Sequence, residues 1–120
     1  MQRTHGLRFC SPSAADLHIR KLESGKMKFF SFVMEFRGGT YISQIYASSH
    51  LEAPLKWAHS LEIQDIPFMG PKSHAELIRC LSEQEPTPLA GLRNAWCLHS
   101  LVSTGSVLIH YFETVPAESR

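Results

Sequence analysis

The chain has 120 residues, 43% of them hydrophobic and 19% charged, and a net charge of +1. One domain of this size buries roughly two thirds of its unfolded surface, so it needs neither a metal nor a disulfide to stand. The charge gives no general attraction to nucleic acid, and no apolar run approaches the ~18 residues of a membrane span.

Three widely spaced cysteines, Cys10, Cys80 and Cys97, argue against a disulfide framework and imply a reducing, cytoplasmic setting. Residues 1–26 carry Arg3, Arg8, Arg20, Lys21 and Lys26 against Asp16 and Glu23, a net +3, while residues 27–120 are net −2. The first segment has short apolar islands and no strand alternation. It reads as a disordered extension, or as codons upstream of a natural start at Met27. Its Arg and Ser content also fits an organelle transit peptide, against which Asp16 and Glu23 count, and it lacks the h-region of a secretory signal. Residues 27–116 then read as a single α+β domain, and 117–120 as a tail.

The stretch Phe29 to Ala47, FFSFVMEFRGGTYISQIYA, reads as two strands. The Gly38-Gly39 pair between them predicts a two-residue turn, which needs positive φ at its centre. Pairing Arg37 with Thr40 sets Phe36 opposite Tyr41, Met34 opposite Ser43, Phe32 opposite Ile45 and Phe30 opposite Ala47. One face then holds Phe30, Phe32, Met34, Phe36, Tyr41, Ile45 and Ala47. The other holds Ser31, Val33, Glu35, Thr40, Ile42, Gln44 and Tyr46, as in an antiparallel sheet with one buried side.

Ser49 and Glu52 have capping-box spacing and predict a helix from near His50. Leu51, Leu55 and Ala58 form its apolar stripe, and Trp57 lies off the stripe, at the sheet edge. Pro54 either kinks this helix or begins it. Residues 61–70 read as a buried connector through Ile63, Ile66, Phe68 and Met69. A second capping box, Ser73 and Glu76, predicts a helix with Leu77, Ile78 and Leu81 on its face, stopped by Pro86 and Pro88. The last elements are strands 95–103 and 106–115, turning at Thr104-Gly105. Pairing Ser103 with Ser106 puts His99 directly opposite His110. Trp96, Leu98, Val102, Val107, Ile109 and Tyr111 share the core face, with Trp96 buried; Cys97, His99, Leu101, Leu108, His110 and Phe112 point away. The expected architecture is a two-layer α+β sandwich in ββααββ order, a four-stranded antiparallel sheet with two helices on one face.

No catalytic, cofactor-binding or metal-binding residues are assigned. Cys97, His99 and His110 supply three ligands without a fourth, and no Cys-x-x-Cys occurs. A phosphate loop needs a helix after its glycines, and a strand follows Gly39. Stacking of RNA bases needs flanking basic residues, and Lys28 and Arg37 stand almost alone. What remains is the open sheet face, whose mixed aromatic, apolar and polar character suits a protein contact. Its candidate partner-binding residues are Glu35, Ile42, Gln44, Tyr46, His99 and His110.

The run MKFFSFVMEFRGGTYISQIYASS, the tryptophan-bearing helix, the NAWCLHS strand and the closing FETV together resemble small bacterial proteins of hairpin, helices, hairpin order. These include immunity proteins of contact-dependent and polymorphic toxin systems. The resemblance covers about residues 27–115 and implies a non-enzymatic module that covers a cognate toxin's active site. Alternatives are a HicB-like antitoxin or small regulatory module, and a small enzyme using Cys97, His99 and His110. A net charge of −2 over residues 27–120 would suit a basic partner.

Overall fold

The computed structural model describes residues 27–115. Expectations for residues 1–26 and for 116–120, including the domain end at 116, fall outside that range. Strand β1 spans Lys28–Phe36 and β2 spans Gly39–Ala47. Helix α1 follows at Ala53–Ser60, a 3-10 turn at Ile63–Asp65 and helix α2 at Pro71–Ser82. Three further strands follow among the described residues: β3 at Thr87–Pro88, β4 at Ala95–Val102 and β5 at Gly105–Thr114. The α+β class and the two helices are as expected, but the sheet has five strands rather than four, in the order β2-β1-β5-β4-β3. The ββααββ order is corrected by β3. Residues 87–88 read as loop because two residues are too short for any periodicity to register.

Both hairpins turn one residue earlier than the glycines suggest. In the first, Arg37 and Gly38 form the turn, with φ of 50° and 82°. Positive φ at both central positions is what a type I′ turn requires, and glycine supplies it without strain. Phe36 therefore pairs with Gly39, Met34 with Tyr41, Phe32 with Ser43 and Phe30 with Ile45. In the second, Val102 pairs with Gly105 and Ser103-Thr104 turns the chain. Each pairing moves by two residues, so every side chain keeps its face and changes its neighbour.

Contacts from outside each hairpin fix the turns. The Arg37 guanidinium donates to the Thr104 carbonyl at 3.0 Å and lies 4.0 Å from the Phe68 ring centroid. Gly105 has φ of 151°, and a Cβ there would meet the Arg37 stem at 3.1 Å. Ser103 donates through its amide and its hydroxyl to Glu76 Oε1, both at 2.7 Å. The Ser73 and Thr104 hydroxyls bond at 2.8 Å. Ser73 and Glu76 thus hold the β4–β5 turn and are not a capping box. Helix α2 is capped by Gly70 and begins with Pro71, a position where the missing N–H costs nothing.

The first capping box forms in part. The Glu52 amide donates to Ser49 Oγ at 3.2 Å, while the Glu52 carboxylate accepts from the Ser48 amide at 2.7 Å. The helix proper starts at Ala53 with Pro54 in its first turn. Leu51 precedes it and is 63% exposed, whereas Trp57 is 1% exposed. Trp57 therefore belongs to the core, not to the sheet edge. Its ring stacks on Phe32 at 4.8 Å, and Phe32 stacks in turn on Tyr111 at 4.6 Å. The apolar face of β1, β2, β4 and β5 joins Trp57, Ala58, Leu77 and Leu81 in one cluster, which puts both helices on the same face of the sheet. In the connector, Ile66 and Met69 are buried as expected, but Phe68 is 57% exposed under the Arg37 guanidinium.

Trp96 is half-buried rather than buried. It lies at the rim of the core, with its ring stacked on His50 at 4.4 Å and on Tyr111 at 5.2 Å.

Candidate open-face binding site

Period two in each strand decides what the face opposite α1 and α2 carries. The register aligns Ile42, Val33, His110, Cys97 and Thr87 in one row across all five strands. A flanking row runs Thr40, Glu35, Leu108, His99, and another runs Gln44, Ser31, Phe112, Ala95. All six candidate residues, Glu35, Ile42, Gln44, Tyr46, His99 and His110, therefore share the face opposite the helices. Glu35 and His99 are exposed; Ile42, Gln44, Tyr46 and His110 are half-buried.

One expected juxtaposition is corrected. His99 stands opposite Leu108, and His110 stands opposite Cys97. The two-residue shift of the second turn separates the imidazoles that the Ser103–Ser106 pairing would have joined. The Cys97 thiol lies 3.9 Å from the neighbouring Leu98 carbonyl. Among the described residues, no group of three His, Cys, Asp or Glu side chains could hold a metal ion.

The polar side chains of this face bond to one another sideways. Gln44 Nε2 donates to Ser31 Oγ at 2.9 Å, and Ser31 Oγ lies 3.1 Å from Thr114 Oγ1. Thr40 donates to Glu35 Oε1 at 3.0 Å. Phe29 and Tyr46 meet with ring centroids 4.5 Å apart. Val33 and Ile42 lie between these ladders, Leu108 continues the Thr40–Glu35 row and Phe112 the Gln44–Ser31 row, and Leu101 at the margin is 75% exposed. A face that mixes apolar side chains with hydrogen-bonded polar ones suits a protein contact.

Sequence reasoning placed Leu101, Leu108 and Phe112 on this face without naming them as contacts, and passed over Phe29. The signal was there in the strand parity. What was missing was the order of strands, which sets β5 between β1 and β4 and so moves Leu108 and Phe112 to the middle of the surface. No helix among the described residues is long and apolar enough to cross a membrane. The sequence matches no protein-family model, no curated protein and no solved structure.

Proposed function

We propose that the protein is a non-enzymatic protein-binding module, an immunity protein that neutralises a toxin by covering its active site with the open sheet face. The observation that supports this is the row Ile42, Val33, His110, Cys97, with Leu108 and Phe112 beside it, on the face that neither helix occupies. Ile42, Val33, Leu108 and Phe112 would supply desolvation, and Glu35, Gln44 and His99 would set orientation and specificity. The toxin class comes from the resemblance of residues 27–115, not from the geometry.

The test is growth protection. The chain is co-expressed with each toxic domain found among the products of its neighbouring genes, as wild type and as Phe112→Asp. Wild-type protection that Phe112→Asp abolishes, with the variant folded by circular dichroism, supports the reading. Equal protection by both proteins, or none by the wild type, counts against it.

A further inference from the structure

We propose that α2 is a detachable cover, loosened by the unpaired Ser100 hydroxyl beneath it, which leaves the sheet as a unit while α1 and both hairpins stay folded. This goes beyond the open-face reading and does not depend on it, because both helices lie on the opposite face of the sheet.

The two helices are anchored by different means. In α1 four of eight residues are buried: Ala53, Pro54, Trp57 and Ala58. Trp57 fastens that helix twice, through its stack on Phe32 at 4.8 Å and through the bond from Nε1 to Ser43 Oγ at 3.0 Å. In α2 three of twelve residues are buried, and one of the three is Ser73. Its apolar anchorage is Leu77 and Leu81, with Ile78 packed at the margin. Removal of apolar area from water is the main free energy that holds a helix on a sheet. For its length α2 has less of it than α1, and it carries no Phe, Tyr or Trp.

The remaining attachments of α2 are polar. Ser73 bonds to the Thr104 hydroxyl at 2.8 Å, Glu76 accepts from the Ser103 amide and hydroxyl, and His74 Nε2 lies 2.7 Å from the Ala58 carbonyl. Just past the helix, Gln84 donates to the His99 carbonyl at 2.8 Å. The Glu76 and Gln84 bonds are exposed, so water replaces them on opening and their net contribution is small.

Ser100 works against docking. It stands in β4 opposite Val107, on the face that carries Leu98 and Val102, and is 1% exposed. The bonds joining Glu76 to Ser103 and Gln84 to His99 bracket it, which places it under α2. Among the described residues its Oγ is buried without a hydrogen-bond partner. A buried hydroxyl left unpaired carries its full desolvation cost, and contact with water cancels that cost. The docked state bears it and the open state does not.

The chain on either side allows the motion. Ile66 and Met69 hold the connector in the core up to Gly70. Gly70 caps α2, and a Cβ there would meet nothing within 4 Å. After Leu81 the next buried residue is Ala95. Segments with few buried apolar contacts are those that open locally, below the free energy of global unfolding.

The experiment is hydrogen exchange of the full chain, followed by mass spectrometry over a series of low urea concentrations. After correction for intrinsic rates, the amides of Leu77 to Ser82 should exchange at least about tenfold faster than those of β1. Their urea dependence should be weaker, because a smaller surface is exposed. Ser100→Ala should slow exchange in α2 about fivefold or more, since the docked state no longer bears the unpaired hydroxyl. Ile45→Val, in β2 on the far side of the sheet from β4, should speed exchange in β1 and leave α2 unchanged. Circular dichroism confirms that both variants are folded. Equal rates and equal urea dependence in α2 and β1 overturn the proposal, as does faster exchange of α2 in Ser100→Ala. So does an Ile45→Val that speeds α2 and β1 alike, which would make α2 part of one global unit.

Discussion

The two faces of the sheet come from the same alternating strands, and they satisfy their polar groups in different directions. On the helix-covered face the bonds run across the layers. Trp57 Nε1 donates to Ser43 Oγ at 3.0 Å, and the Tyr111 hydroxyl donates to the His50 carbonyl at 2.7 Å. Burial pushes the Tyr111 phenol above its ordinary range, which favours the protonated form that donates. On the open face the bonds run along the sheet, from Gln44 to Ser31 and from Thr40 to Glu35. The first arrangement ties helices to strands. The second runs within the sheet surface and ties neither α1 nor α2 to it. Substitutions on the covered face should therefore cost stability, and those on the open face should cost binding.

The largest effect should come from Phe32, which is sandwiched between Trp57 and Tyr111 with no solvent exposure. Phe32→Ala removes the middle of this aromatic stack and should cost about 3–5 kcal/mol, read from the midpoint shift in urea unfolding. A loss below about 1 kcal/mol would mean that the two faces do not divide labour as argued. Trp96 sharpens the same contrast because it lies at the rim. Being half-buried, Trp96→Ala should cost about 1–2 kcal/mol, below the range for a fully buried tryptophan.

A smaller effect tests the layer contacts by pH. The Glu76 carboxyl is held below its ordinary 4.5 by hydrogen bonds from the Ser103 amide and hydroxyl. A carboxyl with a depressed native pKa binds protons less readily folded than unfolded. Its contribution is present above about pH 4.5 and is lost as pH falls through the lower native value. Glu52 acts in the same sense through the Ser48 hydroxyl and amide. Glu76→Gln should flatten the acid limb of the stability profile, measured by urea unfolding between neutral pH and pH 3. An unchanged acid limb would mean that the α2 contact to the β4–β5 turn contributes nothing measurable.

Much of this division was legible in the sequence, and the reason is parity. Alternation assigned Phe30, Phe32, Met34, Leu98, Ile109 and Tyr111 to the core, and an even shift in register cannot move a residue between faces. The cross-strand partners were not legible. A glycine marks where a turn is possible, but the positive φ of Arg37 goes with side-chain contacts to Phe68 and Thr104, from distant segments that the local sequence does not show. Ser73 and Glu76 show the same limit. Their spacing fits a cap, yet Pro71 had already started the helix and both side chains bond instead to the β4–β5 turn. Trp57 was misplaced because a helix of only eight residues gives its stripe too few turns to fix a phase. The open face was read correctly residue by residue. Its centre was not, because strand order is a tertiary fact that periodicity does not encode.

The smallest effect on stability should come from the open face, and there it separates folding from recognition. His99 is exposed and His110 is half-buried beside Cys97, with neither in the buried cluster. The double substitution His99→Ala with His110→Ala removes two imidazoles and uncovers no core. It should change unfolding free energy by no more than about 0.5 kcal/mol, the usual range for surface substitutions. If the face is the contact surface, the same variant should weaken binding to the partner well beyond that figure, because truncation at a desolvated interface leaves unfilled space and unpaired groups on the other side. Urea unfolding and calorimetric titration of the two proteins give both numbers. A loss of stability above 1 kcal/mol would make these histidines structural, and unchanged binding would move the contact surface elsewhere on the molecule.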